Sequence, residues 1–323
     1  MNQGQIDPPA SPISGNAVRR GDQIFRGITI GSGMTILAVM TSIGIFLTWK
    51  AMPSFSQNSS NFFTEAKWFP DQEPAVFGIA ALAFGTFVAA IIAMILAVPT
   101  GIGTSLFITY YAPRKLAGVM AFFVDLLAAV PSIIFGLWGL QFLMPHMDGV
   151  ARWLDRYLGF IPIFENRSDL YTKSLLIAGV VLAIMILPTI SAISREVFNQ
   201  VPRSHVEAAL ALGATRWEMV RMAVLPFGRP GIISASMLGL GRALGETIAV
   251  ALILSAVFEV NTHITEPGGN TFAANIALKW NEAGPNGLSA LIASGLILFL
   301  ITLAVNSVAR GIIARRKEFS GAQ

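Results

Sequence analysis

The chain has 323 residues, 54% of them hydrophobic and only 12% charged, with a net charge of +4 and a mean hydropathy of +0.65. A soluble domain carries about 25% charge, so that class is excluded; the apolar residues come in blocks of about 20, the length that crosses a bilayer as a helix. There are no cysteines, which excludes disulfides, thiolate metal sites and cysteine nucleophiles. His146, His205 and His263 show no ligand spacing, so no metal site is expected. The expected class is an all-α, polytopic membrane protein.

In chain order, residues 1–20 are rich in Pro, Ser, Gly and Asn and read as a disordered tail rather than a signal peptide. Six spans are expected, near Gly27–Trp49, Val76–Tyr110, Leu116–Met144, Ser174–Ser194, Gly231–Phe258 and Leu288–Ala309. They divide the chain into a tail (1–20), a first transmembrane helix with an outer loop (21–75), a core domain (76–309) containing an inner loop (195–230), and a second tail (310–323).

The second block is too long for one span and too short for two with a turn. One tilted helix kinked at Pro99–Gly101 is expected; a hairpin at Pro99 is the alternative, and it inverts everything downstream. The charges favour the single helix. It leaves fourteen Lys and Arg on one side, including Arg195, Arg203, Arg216, Arg221 and Arg229, against seven on the other. Positive residues favour the cytoplasmic side, so both termini are expected to be cytoplasmic. The outer loops 50–75, 145–173 and 259–287 carry Trp68, Trp153, Tyr157 and Trp280, rings suited to headgroup level. Thr271–Trp280 reads as a short interfacial helix.

Within the inner loop, Ser204–Glu207 and Thr215–Glu218 each have the Ser/Thr-x-x-Glu form of a capping box. Two short helices follow, His205–Leu212 and Arg216 to about Val224, with Gly213 as a natural C′ residue and Pro226 as a stop. Val206 and Leu210 fall on one face with Ala209 nearby, a bent knob suited to a groove on a partner. Glu207 equally serves as a helix cap. A helix-turn-helix for nucleic acid is disfavoured, because Glu196, Glu207 and Glu218 offset the arginines and both ends of the loop enter the membrane.

The stretch "EAALALGATRWEMVRMAVLP" (Glu207–Pro226) resembles the EAA loop of ABC-importer permeases. Glu207, Ala208, Ala209, Gly213, Leu225 and Pro226 fit, and Ala223 stands where the family usually has Ile. The resemblance implies that Glu207, Ala208, Ala209, Leu210 and Gly213 dock on a cytoplasmic ATPase. That ATPase has to be another chain, since this one lacks a phosphate-binding Gly-x4-Gly-Lys-Ser/Thr loop.

Two charges interrupt the fifth apolar block, Arg242 and Glu246, four positions apart and so expected on one helix face. A charge at mid-bilayer costs about 2.5–3.5 kcal/mol on insertion scales, so both must face protein or water. Two readings stand. The pair neutralises itself and locks helix packing, or it lines a solute path, where arginine's planar fork suits oxyanions and Glu246 weakens the grip enough for release. Gly241 and Gly245 form a GxxxG that admits a close helix neighbour. Asp125, one turn before a kink expected at Pro131, has three options: pairing with Arg242, protonation, or contact with a freed carbonyl.

"LGLGRALGETIAV" with "DLLAAVPSIIFGLWGL" is similar to the PstC-type permeases of phosphate-specific ABC importers, from about Gly21 to the last span. This resemblance implies the type I, MetI-like permease fold and a bacterial inner-membrane location. It implies a heterodimeric pore with a PstA-type sister subunit, a homodimeric PstB-type ATPase holding ATP and Mg, and an extracytoplasmic PstS-type phosphate-binding protein. No cofactor is expected on this chain, and Arg242, Glu246 and Asp125 are expected on the phosphate path. Three other readings remain: a permease for sulfate, molybdate or tungstate; a membrane enzyme using outer-loop carboxylates such as Glu65, Asp71, Glu73, Asp155 or Asp169; and a purely structural assembly subunit.

Overall fold

The computed structural model describes residues 20–317. The tail expected over 1–20 lies outside them apart from Arg20, as do residues 318–323. Helices dominate: α1 (Arg20–Gln57), α2 (Ala80–Leu106), α3 (Arg114–Ala128), α4 (Ser132–Trp138), α5 (Met144–Leu158), α6 (Leu175–Asn199), α7 (Arg203–Ala211), α8 (Arg216–Met219), α9 (Leu225–Leu244), α10 (Ile248–Ile253), α11 (Phe272–Lys279) and α12 (Pro285–Lys317). A two-stranded antiparallel hairpin, β1 (Trp68–Phe69) with β2 (Val76–Phe77), precedes α2. Five helical stretches are long and apolar enough to cross a membrane: Gln23–Gln57, Ala80–Tyr111, Leu175–Asn199, Arg216–Leu244 and Pro285–Gly311. A sixth consists of Arg114–Ala128 and Ser132–Leu158, bent by 93°.

The chain divides into two units, Met1–Phe46 and Leu47–Gln323. In the first, the described residues form the leading part of α1. Its hydroxyls are satisfied locally: Thr29, Ser32, Thr35, Thr41 and Ser42 each donate to the carbonyl four residues earlier. A helix for lipid needs this, because no water is there to take an open donor.

In the second unit α6 is the central helix. Leu175, Ile177, Ala178, Val181, Leu182, Met185, Ile186 and Ile190 are buried along it. Small residues let its neighbours approach. A Cβ added at Gly101 of α2 comes within 3.1 Å of Ile190, and one at Gly239 of α9 within 2.8 Å of the same side chain. Ile190 is thus wedged between two helices, each of which presents no side chain there. A second core of Phe62, Trp68, Phe77, Phe272 and Leu291 joins the hairpin to α11 and α12.

The second apolar block is one helix, as expected, running through Pro99 into a wide π turn at Phe107–Tyr111. Proline costs a backbone hydrogen bond. Here the hydroxyl of Thr100 donates to the carbonyls of Leu96 and Ala97, beside the break. Other expectations need correction. The helix over Leu116–Met144 is not continuous: α3 ends at Ala128, and α4 starts after Pro131 at a sharp angle, so this stretch is a bent pair of helices. A residue before proline is pushed out of the helical region, which accounts for a break rather than a gentle kink. Thr271–Trp280 forms the expected short helix, with one face packed into protein and Leu278 and Trp280 exposed. Phe272, Ala274 and Asn275 of α11 are fully buried, and Thr86 of α2 accepts the Phe272 amide. Trp68 is buried too, whereas Trp153, Tyr157 and Trp280 are exposed. The last helix runs past Ala309 to Lys317.

Candidate functional site

The fifth apolar block does not run on as one helix through Phe258. Helix α9 ends at Leu244, and α10 starts at Ile248. The Gly245–Glu246–Thr247 break separates the two charges, so they do not share a helix face. Arg242 lies in the last turn of α9, where a cation complements the exposed carbonyl end of the helix. Its Nη1 donates to Thr189 Oγ1 of α6 at 3.1 Å. Glu246 is buried and accepts from the backbone N–H of Ala249 at 3.2 Å, in the first turn of α10. Each charge therefore sits at the helix end that suits its sign. The expectation that Glu246 moderates Arg242 by direct pairing is overturned: the partner of Arg242 is a neutral hydroxyl.

Thr189, Met237, Leu238, Gly241, Arg242 and Asn306 line a cleft of about 410 Å³. Gly241 opens onto it, since a Cβ there meets nothing within 4 Å. At Gly245 the nearest atom is the chain's own Gly241 carbonyl oxygen at 3.5 Å. The GxxxG does not hold a helix of this chain; Gly239, outside the motif, does that against Ile190.

Asp125 joins neither Arg242 nor a freed carbonyl. Both its carboxylate oxygens accept from Arg195 Nη2, at 3.0 and 2.9 Å, which ties α3 to α6. Arg195 is the more buried partner, with 18% of its side chain exposed against 51% for Asp125, and its Nη1 is buried without a partner. Asp125 thus belongs to a helix clamp away from the Arg242 cleft.

The 195–230 loop has the expected bend at Gly213, with φ +83°. The Gly213 N–H donates to the Leu210 carbonyl at 3.0 Å, and the Ala214 N–H to the Ala209 carbonyl at 3.2 Å, the doubled closure of a Schellman end. Only glycine takes that φ without strain. The second capping box forms in full, between Thr215 and Glu218. The first does not: α7 starts at Arg203 after Pro202, with no side-chain cap. Ser204 is then already inside the helix, where its hydroxyl has lost the cap position. The second helix does not stop at Pro226 either. A π turn at Val220–Val224 leads directly into α9, and its wider winding gives the proline ring room. Val206 and Ala209 pack on Met219, Val220 and Phe198, whereas Leu210 points outward. Glu207, Ala208, Leu210 and Leu212 are therefore left on the exposed side, with Leu212 90% exposed.

Sequence reasoning missed Thr189 and Asn306. Threonine is common in apolar helices and carries no signal by itself. An asparagine amid "LITLAVNSVAR" (Leu300–Arg310) did carry one.

Several membrane-spanning helices, a broken helix ending on a cation, and an exposed bent loop define a multi-pass membrane transport component. A family model described as binding-protein-dependent transport system inner membrane component matches residues 97–318. The chain belongs to that family. It is 46% identical over 309 residues to the phosphate transport system permease protein PstC 2 of Mycobacterium tuberculosis, covering 94% of this chain and 95% of that one. It is 45% identical over 315 residues to the phosphate transport system permease protein PstC of Mycobacterium leprae, covering 96% and 99%. Among solved structures, a bacterial ABC transporter involved in the import of the acidic polysaccharide alginate aligns with a TM-score of 0.53 at 16% identity, over 73% of this chain and 78% of that one. The fold is that of the type I ABC-importer permeases.

Proposed function

We propose that this chain is the transmembrane permease subunit of an ATP-driven phosphate importer in a bacterial inner membrane. It forms half of a heterodimeric pore with a PstA-type sister. A PstS-type binding protein delivers phosphate from outside, and a homodimeric PstB-type ATPase, holding ATP and Mg, drives the cycle. Residues 76–309 are the permease core and both termini face the cytoplasm, with the 195–230 loop, through Glu207, Ala208, Ala209, Leu210 and Gly213, seated on the ATPase. The relatives named as phosphate transport permeases support the substrate. The chain itself is a transport component, not an enzyme.

The observation that carries the reading is Arg242. Its guanidinium lines a cleft and, among the described residues, is held only by a neutral hydroxyl. It keeps its full charge toward a solute, and its planar fork matches two oxygens of a tetrahedral oxyanion. Conduction also requires release. Glu246 acts at one remove, by fixing the N-terminus of α10 and so the place where α9 breaks.

The test is uptake by the complete complex in proteoliposomes. Arg242→Gln abolishes ATP-driven phosphate uptake while all subunits still co-purify. Uptake near the unmodified rate refutes the pathway role. Competition by sulfate, molybdate or tungstate at the unmodified complex separates phosphate from the other oxyanions.

A further inference from the structure

The rings of Trp153 and Tyr157 fall on α5, and the structure gives that helix separate faces. One is packed into the chain: Met144, Met147 and Ala151 are buried, and Leu154 lies against the same core. Another is apolar and uncovered. Val150, Trp153 and Tyr157 recur at i, i+3 and i+7, so they share a side of the helix, and Phe160 follows one turn on, 79% exposed. The remaining face is basic and exposed, with Arg152 and Arg156 one turn apart. Asp148 pairs with Arg152 at 2.9 Å. Arg156 forms no ion pair among the described residues, and its guanidinium stands 6.0 Å from the Tyr157 ring, at the border of the two open faces.

The chemistry of the open faces says what covers them. The apolar stripe continues one that starts earlier in the same helical stretch, Ser132–Leu158, where Trp138 and Phe142 are exposed and stack at 5.5 Å. Phe142 stacks in turn on His146 at 4.4 Å, one turn closer to α5's stripe. Helices that pack on a neighbour within a bilayer present small residues; this stripe presents a valine and three bulky aromatic rings. A face kept for a soluble partner that comes and goes would leave that apolar surface bare in water between visits. Trp and Tyr beside a row of arginines are instead the make-up of a helix lying in the headgroup layer. There the rings reach the acyl chains and a guanidinium meets lipid phosphates.

We propose that α5 is an interfacial helix seated in phospholipid, with Val150, Trp153, Tyr157 and Phe160 toward the acyl chains and Arg156 on a lipid phosphate. The surface it occupies is the one opposite the 195–230 loop. Helix α5 leads through residues 159–174 to the start of α6, whereas the 195–230 loop leaves the other end of α6. The proposal stands apart from the Arg242 pathway reading and does not depend on it.

The chain has no cysteine, so Arg152→Cys, Tyr157→Cys and Phe160→Cys each give a single site for a nitroxide label. The labelled complete complex, with any partner cysteines replaced, is reconstituted in vesicles of phosphatidylethanolamine and phosphatidylglycerol. Power saturation in electron paramagnetic resonance compares collisions with oxygen, which concentrates among acyl chains, and with a nickel chelate, which stays in water. The Tyr157→Cys and Phe160→Cys labels are expected to favour oxygen, and the Arg152→Cys label nickel. Labels at 157 and 160 that favour nickel put the stripe in water, and labels shielded from both reagents put it under another protein chain, the sister subunit included. Either result overturns the proposal, as does an oxygen preference at all three positions, which submerges the basic face. Arg156→Gln is expected to shift the Phe160→Cys label toward nickel, and Arg156→Lys to leave it in place. A label unmoved by Arg156→Gln overturns the phosphate contact.

Discussion

Arg242 donates to Thr189 at 3.1 Å and does not pair with Glu246, although only four residues separate the two charges in sequence. The break after Leu244 is the reason. A continuous helix would have placed the guanidinium beside the carboxylate, whereas a broken one gives each charge its own helix end. The contact with α6 then decides where the guanidinium points.

That contact makes Thr189 a positioning residue. Thr189→Val removes one hydrogen bond of about 1 kcal/mol, so phosphate uptake by the reconstituted complex falls roughly fivefold. Thr189→Ser restores it. Subunit co-purification stays unchanged in both variants. A Thr189→Val complex that transports at the unmodified rate shows that Arg242 needs no such support.

The Asp125–Arg195 clamp between α3 and α6 gives a second expectation. Arg195 is mostly buried and already has one unpartnered nitrogen. Asp125→Ala strands its charge and lowers stability by about 1–3 kcal/mol, less than for a fully buried pair because Asp125 is half-exposed. Thermal unfolding in detergent reads the loss. Arg195→Ala and the double variant Asp125→Ala with Arg195→Ala complete a cycle, in which the double variant is expected to lose less than the sum of the two singles, and that difference is the coupling energy.

The two carboxylates of the inner loop separate folding from coupling. Glu218 completes the capping box at Thr215, so Glu218→Ala costs about 1 kcal/mol of stability. Glu207 is exposed and α7 has no side-chain cap. Glu207→Lys therefore leaves the melting temperature unchanged but lowers the phosphate carried per ATP hydrolysed. A drop in melting temperature with intact coupling assigns Glu207 to the loop's own fold.

Glycines predict opposite outcomes at two positions. A Cβ at Gly85 lies 2.0 Å from the Asn270 carbonyl oxygen. Backbone cannot yield as a flexible side chain does, so Gly85→Ala destabilises by about 1–3 kcal/mol. A Cβ at Gly241 meets nothing in this chain. Gly241→Leu leaves the thermal stability of the isolated chain within about 0.5 kcal/mol, and if the sister subunit packs on that face, its recovery in co-purification falls. Full recovery places the sister elsewhere.

In the 160–174 region, burial and the hydrogen bond to Asp155 at 2.8 Å hold the Tyr171 hydroxyl up to about 12. The raised value favours the neutral form, so its stabilising effect is complete below the ordinary tyrosine range near 10 and is lost only as pH rises through about 12. An ultraviolet titration of the complex should show one tyrosine of this chain ionising about two pH units late, and Asp155→Asn should bring it earlier.

Membrane class, the helical course of the second block through Pro99, the bend at Gly213 and the Thr215–Glu218 cap were legible in the sequence. Each depends on residues within a few positions of one another: block hydropathy, a proline with a threonine beside it, a glycine at a helix end, a reciprocal four-residue box. The candidate site residue Arg242 was legible as well, because an arginine in an oily block has few places to go. Its partner was not. Thr189 is fifty-three residues away, and Asp125 is seventy from Arg195. Only the packing of α3, α6 and α9 brings these atoms together, and that packing turns on small residues, such as Gly101 and Gly239 around Ile190. The breaks at Pro131 and Gly245 had the same origin. A proline or glycine permits a break, but whether the helix runs on, as at Pro99 and Pro226, or turns away is decided by what the following segment can bury.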